Sequence, residues 1–234
     1  MSEWLGGYEP HDPDVARRQD DWLRRWGRRD PGRVLDLGCG QGRTMLPLAE
    51  LGHDVLGVDV DPDCLDVCRQ IAMEQGTPLR VRELDFLRDR LDDESPFDLV
   101  CCLGNTFMLI ETDAEAVELL ARCARLLRPD GLIVLDDLPG LFMPEVESGN
   151  WQTGISEDGS LQFIWSDTPD VFTVRSGEEV DPEQWSFRPD DIPLRLWRSE
   201  SLEAVALEAG LSVPEPDSDG AMLVMRSVRA SGGS

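Results

Sequence analysis

The sequence predicts an α/β domain whose parallel β-sheet is covered by helices on both faces. Short apolar segments alternate with helical patterns from residue 34 to residue 138, which is typical of a parallel sheet. Glycines and carboxylates follow these segments, at the edge where such a sheet binds ligands. After Pro139 the pattern changes to short alternating runs, which predict an antiparallel insertion. With 234 residues, 41% of them hydrophobic, the chain is expected to form a single domain over residues 1–234.

The amino-terminal segment, residues 1–30, is predicted to form a helical arm. Between residues 12 and 29, apolar side chains recur at helical spacing while arginines occupy the opposite face. The apolar positions are Val15, Trp22, Leu23 and Trp26. An amphipathic helix of this kind is expected to pack beside or over the core.

The predicted core covers residues 31–138 and contains five strands with helices between them. The strands are expected at 34–37, 55–58, 79–84, 97–103 and 132–135. The helices are expected at 44–51, 62–75 and 113–127, with Pro62 opening the second of them. The tripeptide at 129–131 predicts a turn before the fifth strand.

The remainder of the chain is predicted to add a small antiparallel sheet and a closing segment. Residues 139–198 form the insertion on the substrate side, with strands at 161–165 and 171–174 and a further candidate at 194–197. Residues 199–230 are expected to contribute a capped helix at 199–209 and a strand pair at 211–213 and 222–228. The tryptophans of this region fit either a substrate wall or the core of the insertion. They are Trp151, Trp165, Trp185 and Trp197.

The charge of the chain limits its partners. The formal net charge is −25, and all 22 basic residues are arginine. An acidic surface of this strength repels phosphate backbones and anionic lipids. The expected partner is therefore a small-molecule substrate, with neither nucleic acid nor a membrane surface; a protein substrate is the alternative.

Targeting signals and metal motifs are not evident in the sequence. No apolar run approaches the roughly 18 residues of a membrane span, and residues 1–4 do not resemble a signal peptide. The six cysteines lack CxxC spacing, so reduced thiols are expected and a metal site is not. These features predict a cytoplasmic protein.

Four candidate ligand-binding features lie at successive strand ends. Gly38, Gly40 and Gly42 directly follow the first strand, where glycine lets the backbone approach a ligand. Asp59 ends the second strand, 21 residues after Gly38, where a carboxylate can accept hydrogen bonds from ribose hydroxyls. Asp85 and Phe86 end the third strand and offer an acceptor for an exocyclic amine and a wall for a purine. A polar segment, residues 103–106, ends the fourth.

The glycine loop leaves two ligand classes to compare. A dinucleotide fingerprint would place its third glycine at position 43, which is Arg43 here. Asp36, just before the loop, suits a cationic ligand better than a pyrophosphate. S-adenosylmethionine, with an ammonium, a sulfonium and no phosphate, fits both positions, whereas a dinucleotide-dependent oxidoreductase remains the alternative.

Residues 34–43 resemble the first motif of the class I S-adenosylmethionine-dependent methyltransferases. Residues 52–59 resemble the second-strand motif of that family, and residues 126–131 its turn before the fifth strand. The similar region covers about residues 30–138, and residues 194–211 resemble the later strand and helix. The resemblance implies a Rossmann-like fold, a seven-stranded mostly parallel sheet with one reversed strand near an edge, and S-adenosylmethionine as cofactor. The cofactor-binding residues it implies, together with those inferred from the strand ends, are Asp36, Gly38, Cys39, Gly40, Asp59, Val60, Asp85, Phe86, Leu103, Thr106 and, on the arm, Tyr8.

Residues 101–107 resemble a segment of glycine and sarcosine N-methyltransferases. By that likeness Leu103 and Thr106 touch the methionine part of the cofactor, and Asn105 faces the substrate. Residues 108–110 replace the histidine that those enzymes tend to have, which disfavours glycine as the acceptor.

Candidate catalytic residues follow from the strand ends. Methyl transfer is an in-line displacement, so alignment and exclusion of water matter more than a strong base. Asn105, Asp136 and Asp137 are the candidates for contact with an acceptor; for the two carboxylates the alternative is a solvated turn. His11 on the arm has either a cofactor contact or a surface role, and His53 is expected to be a polar turn residue. The predicted function is methyl transfer to a nitrogen or oxygen of a small molecule, with a non-catalytic S-adenosylmethionine-binding module as a further alternative.

Overall fold

The computed structural model describes residues 13–91, 96–149 and 152–228. The helices are α1 (Pro13–Trp26), α2 (Met45–Glu50), α3 (Pro62–Gln75), α4 (Asp113–Leu126), α5 (Leu138–Glu147) and α6 (Ser199–Glu208). The strands are β1 (Arg33–Leu37), β2 (Asp54–Asp59), β3 (Arg80–Glu83), β4 (Phe97–Cys102), β5 (Leu127–Asp136), β6 (Gly154–Ile155), β7 (Leu161–Trp165), β8 (Val171–Ser176), β9 (Leu194–Arg195), β10 (Glu215–Pro216) and β11 (Met222–Arg226).

The main sheet has seven strands in the order β10-β11-β5-β4-β1-β2-β3. Strands β1 to β5 run parallel, and β11 pairs with β5 in the antiparallel direction. The central register places Leu35 beside Leu56 and Val100, all three of them buried. The predicted fold, with its reversed strand next to an edge, is confirmed.

Both faces of the sheet are covered, which explains why its strands are nearly continuous apolar runs. One buried cluster includes Phe97, Leu119 and Leu202, from β4, α4 and α6. The other includes Leu23 from α1 and Leu48 from α2. The sheet is thereby held rigid beneath its carboxyl ends.

Helix α3 shows how local chemistry fixes an element. Asp61 caps its first turn by accepting hydrogen bonds from the amides of Asp63 (2.9 Å) and Cys64 (3.2 Å). Pro62 occupies the first turn, where no donor is needed, and Gly76 ends the helix in the left-handed conformation. The predicted helix at 62–75 is confirmed.

The segment before the fifth strand differs from the prediction. Strand β5 begins at Leu127, and the predicted turn at 129–131 lies within it. Pairing with β4 shifts between Phe97 opposite Leu127 and Leu99 opposite Leu132. The turn residues therefore form an irregularity inside one strand.

The end of the chain also differs in detail. Helix α6 begins without a side-chain cap at Arg198 and ends at Glu208, one residue before the predicted end. The closing strand opposite β11 is β10, four residues later than predicted, whereas Leu211 makes a single bridge to Ser227.

The prediction that residues 139–198 would be antiparallel missed helix α5. Pro139 lies in the first turn of this helix, where its missing donor has no cost. The rest of the insertion forms a second sheet in the order β6-β7-β8-β9, antiparallel throughout. Strands β7 and β8 match the predicted positions.

None of the described helices is both long and apolar enough to cross a membrane.

Candidate active site

A cavity of about 720 Å³ opens at the carboxyl ends of β1, β2 and β4 and is bounded on its far side by the second sheet. We call residues 38–44, 59–64, 86 and 103–109 its floor, and Phe142 with residues 172–194 its roof. Of the predicted cofactor residues, the following line the cavity: Gly38, Cys39, Gly40, Asp59, Val60, Phe86, Leu103 and Thr106, together with the predicted substrate residue Asn105. A space of this size is within the usual range for small-molecule sites.

The glycine loop is held against β2 by its backbone. The amides of Gly38 (2.8 Å) and Cys39 (3.0 Å) both donate to the carbonyl of Val58. Gly38 has a φ of +68°, and a Cβ there would lie 2.4 Å from a side-chain carbon of Thr106. Gly40 has a φ of +49° with open space where a Cβ would stand. The first glycine therefore allows two loops to touch, and the second leaves the cavity open.

Asp59 connects the glycine loop to the end of β2. Its carboxylate accepts from the amide of Gly40 at 2.8 Å and from the amide of Asp61 at 3.0 Å. Because it also lines the cavity, the same carboxylate can accept a hydroxyl of a bound ligand. Val60, beside it, is 60% exposed at the cavity edge.

Asp36 lies beneath the loop and is absent from the described residues that line the cavity. It is fully buried and accepts a hydrogen bond from the Thr44 hydroxyl. Burial raises the pKa of Asp36 to about 7, while the hydrogen bond from Thr44 and the charge of Arg43 act in the opposite direction. Asp36 therefore acts on the site through the electric field and through Thr44, which does line the cavity.

Asp136 holds the polar loop after β4. It accepts from the amides of Asn105 (2.8 Å) and Gly104 (3.2 Å) and from the side-chain amide of Gln19 (2.7 Å). Asn105 has a φ of +61°, a left-handed conformation that is uncommon outside glycine but that asparagine adopts more often than most residues; its amide donates to Asp136 in this conformation. Burial raises the pKa of Asp136.

Asp137 caps helix α5 by accepting from the amide of Gly140 at 3.0 Å, and burial raises its pKa. Among the residues that the structure describes around the cavity, neither Asp136 nor Asp137 is part of the lining. A catalytic role for these carboxylates stays a prediction that their placement does not support.

The remaining predicted residues are absent from the described lining or lie outside the described residues. The carboxylate of Asp85 accepts from the amide of Leu87 at 2.9 Å and lies 3.4 Å from the Arg88 guanidinium, and Asp85 is absent from the described lining. His53 is buried and joins the amide of Gly32 to the carbonyl of Gly27 through its two ring nitrogens. Tyr8 and His11 lie outside the described residues.

Phenylalanines rather than tryptophans form the aromatic part of the roof. Phe142 and Phe172 line the cavity, with Val174, Ile192 and Leu194 beside them. The alternating apolar and polar residues of β8 predicted a strand, but they did not predict which face of that strand lines the cavity.

None of the described tryptophans lines the cavity. Trp165 packs on Phe172 with ring centroids 4.9 Å apart. Trp197 is fully buried against Phe107, and Trp185 is 44% exposed. Trp151 lies outside the described residues.

The roof loop between β8 and β9 is held by buried polar side chains. Arg175 is 1% exposed and makes paired hydrogen bonds to Asp191, at 2.9 Å from Nε and 2.7 Å from Nη2. It also donates to the carbonyls of Gln184 (3.0 Å) and Ser186 (2.8 Å). Burial opposes ionisation of Asp191, but the hydrogen bonds from Arg175 and the amide of Arg188 hold its pKa below its usual value.

Gln162, also fully buried, completes this attachment. It donates to the carbonyls of Asp181 (2.7 Å) and Gln184 (2.9 Å) and accepts from the amide of Asp181 (2.9 Å). The loop is thus fixed to its own sheet, and neither Gln162 nor Arg175 was identified from the sequence.

Comparison with known proteins agrees with this geometry. The profile of a methyltransferase domain matches residues 34–131, which includes the glycine loop, Asp59 and the loop after β4. Over residues 34–131 the chain is therefore similar to methyltransferases, in agreement with the resemblance seen in the sequence.

The curated methyltransferases that match this chain do so over part of their length. The cypemycin N-terminal methyltransferase of a Streptomyces species is 37% identical over 115 residues, 49% of this chain and 45% of that protein. The ubiquinone biosynthesis O-methyltransferase of Cereibacter sphaeroides is 28% identical over 178 residues, 70% of each chain. The chain spans just over half the length of the curated relatives matched first, 53% of one and 58% of the other.

A solved structure extends the likeness to the whole fold. An S-adenosylmethionine-dependent methyltransferase from Clostridium acetobutylicum superposes with a TM-score of 0.72 at 14% identity, covering 97% of this chain and 96% of that one. Because the superposition covers nearly the whole of both chains, it includes the second sheet as well as the main sheet.

Proposed function

We propose that this protein transfers a methyl group from S-adenosylmethionine to a nitrogen or oxygen of a small-molecule acceptor. The observation that carries the proposal is one cavity with two different walls. The floor is built from the methyltransferase motifs and suits a nucleoside with an amino-acid tail. The roof is built from apolar side chains of the second sheet and suits an acceptor.

The residues of the floor fit the cofactor. Gly40 leaves open space at the cavity surface, Asp59 presents a hydrogen-bonded carboxylate, and Phe86 offers an aromatic wall. When bound, S-adenosylmethionine supplies a methyl group on a sulfonium, which is electrophilic enough that alignment is the main requirement. The chain contributes by holding the acceptor in line and by excluding water.

The residues of the roof favour an acceptor with an apolar body. Phe142, Ile192 and Leu194 are apolar side chains of this lining. Each nitrogen of the Arg188 guanidinium, which also lines the roof, already donates once: to Gln184 at 2.7 Å, to the carbonyl of Glu179 at 3.1 Å and to Asp181 at 2.9 Å. A strongly anionic acceptor would therefore meet a guanidinium on this wall whose charge is already paired with Asp181.

The atom that receives the methyl group is left as nitrogen or oxygen. The relatives include one named as an N-terminal methyltransferase and one named as an O-methyltransferase, so they favour neither. In the roof, Glu179 and Asp190 line the cavity and can take up the proton released by either kind of acceptor through water.

Calorimetry followed by a turnover screen tests the proposal. S-adenosylhomocysteine is expected to bind the purified protein, whereas NAD is not; binding of NAD alone would instead support the oxidoreductase alternative. The protein is then incubated with methyl-labelled S-adenosylmethionine and a metabolite extract. Transfer of label into small molecules supports the proposal, and binding without transfer into any fraction would indicate a non-catalytic module.

A further inference from the structure

Gln19, on helix α1, connects the two loops that form the floor. Its side chain is fully buried. Its amide nitrogen donates to Asp136 at 2.7 Å, and its amide oxygen accepts from Nη2 of Arg43 at 3.0 Å. Buried polar groups are normally satisfied by specific partners; here one partner, Arg43, belongs to the floor, and the other, Asp136, lies behind it at the end of β5.

The connection continues from Asp136 into the loop after β4. Asp136 accepts from the amides of Gly104 and Asn105, so the sequence of hydrogen bonds runs from Arg43 through Gln19 and Asp136 to that loop. Arg43 follows the glycine loop directly. The position of its guanidinium is therefore fixed relative to both loops that line the floor.

Arg43 is suited to bind an anion in the cavity. It lines the floor, and within residues 13–91, 96–149 and 152–228 its guanidinium makes one hydrogen bond, to Gln19. The other N–H groups are available to a ligand. The second arginine of the described lining is Arg188 in the roof, which makes three hydrogen bonds and is paired with Asp181.

The charges behind the glycine loop match a zwitterion. Arg43 supplies a positive charge, and the buried carboxylate of Asp36 lies close enough to interact with it electrostatically. An amino-acid group carries one charge of each sign and can be favoured by both. A guanidinium is the side chain best suited to bind a carboxylate in a defined orientation.

We propose that Arg43 binds the carboxylate of the cofactor's amino-acid end, and that Gln19 is the positioning residue that orients it. This inference rests on the proposed function, since it concerns the same cofactor. It assigns a binding role to Arg43, the position at which this loop differs from a dinucleotide fingerprint. It also gives helix α1 of the amino-terminal arm a positioning role, through Gln19.

The experiment uses three ligands that differ only in the amino-acid end. These are S-adenosylhomocysteine, its decarboxylated analogue 5′-(3-aminopropylthio)-5′-deoxyadenosine, and 5′-deoxy-5′-methylthioadenosine. Their affinities are measured by calorimetry for the wild type, for Arg43→Gln and for Arg17→Gln. Arg17 is an exposed residue of α1 that pairs with Asp14 and Asp21, so its variant removes the same charge far from the lining.

Arg43→Gln is expected to weaken S-adenosylhomocysteine about 10- to 100-fold, the range for a hydrogen bond to a charged group. It should leave the decarboxylated analogue and the methylthio compound within about threefold. Arg17→Gln should change none of the three. Equal losses for all three ligands, or no loss for any, would overturn the assignment to the carboxylate. If the wild type itself fails to bind S-adenosylhomocysteine, the proposed function fails as well.

Gln19→Met tests the positioning role, because methionine preserves length and volume in a buried site. The variant should lower the preference for S-adenosylhomocysteine over the decarboxylated analogue about 3- to 10-fold. The double variant with Arg43→Gln should lose no further preference, since the two residues act as one unit. An unchanged preference in a folded Gln19→Met protein would refute the role of Gln19. If that variant does not fold, Arg43→Lys provides the second test; a lysine lacks the guanidinium fork, and a preference equal to that of the wild type would count against the proposal.

Discussion

The floor of the cavity is shaped mainly by backbone, whereas its roof is shaped by side chains. In the floor, Gly38 and Gly40 adopt left-handed conformations and amide groups make the hydrogen bonds. In the roof, an ordinary antiparallel hairpin is fixed by the buried side chains of Gln162 and Arg175. A backbone-built wall restricts residue type at each position, so it leaves a recognisable motif. A side-chain-built wall can be made from many sequences with the same result.

The largest effect should come from the roof, through Arg175→Met. Removing the guanidinium leaves the buried carboxylate of Asp191 unpaired, which typically costs about 3–5 kcal/mol of stability. Thermal unfolding should show this loss, while the affinity for S-adenosylhomocysteine below the transition stays within about threefold. Arg198→Met, which breaks the more exposed pair with Asp170, should cost less than about 1 kcal/mol. A similar loss of stability for both variants would show that the pair of Arg175 with Asp191 contributes no more than an ion pair on the surface.

Gly38→Ala should have the largest effect in the floor. The new Cβ would lie 2.4 Å from Thr106, so the two loops must separate, and we expect about a 100-fold loss of S-adenosylhomocysteine affinity, close to 3 kcal/mol. Gly76→Ala is the matched control, because Gly76 also has a positive φ, +65°, but open space around it. It should lower stability by about 1 kcal/mol without affecting binding. Normal binding by Gly38→Ala would show that the loop contact is dispensable.

Asp59→Ala should have a smaller effect on the same wall. The substitution removes an acceptor for the ligand and frees the amide of Gly40, and we expect a loss of about 1–3 kcal/mol in cofactor binding. Asp66→Ala removes the same charge from a surface ion pair with Arg69 and should leave calorimetric titrations unchanged. Equal affinities for the two variants would contradict the predicted ribose contact.

The smallest effect should be the pH dependence caused by Asp36. In the folded protein its pKa is raised to about 7, whereas an unfolded aspartate titrates near 3.9. The folded state therefore retains the proton, and stability present below about pH 4 is lost as pH rises towards 7. A cationic cofactor favours the ionised carboxylate, so its affinity should increase up to about tenfold from pH 6 to pH 8.

Asp36→Asn should remove this dependence. Titrations with S-adenosylmethionine at pH 6, 7 and 8, paired with unfolding experiments at each pH, measure both parts. Parallel pH profiles for the wild type and the variant would show that the dependence does not come from Asp36.

The residues that could be predicted from the sequence are those whose local conformation dictates their type. Gly38, Gly40 and Pro62 each meet a backbone requirement that few other residues satisfy. Helix α5 was missed because Pro139 was interpreted as a break, although proline is favoured in a first helical turn.

Other residues could not be placed because their role depends on what packs against them. Phe142 and Phe172 became the aromatic wall only through the arrangement of α5 and β8. Gln19 did carry a signal, because it lies four residues from both Val15 and Leu23, on the buried face of α1. A polar residue inside an apolar stripe predicts a buried partner, whereas the identity of Asp136 as that partner requires the tertiary fold.

The attachment of the roof loop to its own sheet has a consequence for engineering. Gln162 and Arg175 hold residues 181–191 through contacts internal to the insertion. We therefore expect that the roof loop can be exchanged together with its own sheet, with its conformation already set, between proteins that keep the same glycine loop. A graft that moved the loop without these two side chains would transfer its sequence but lose its conformation.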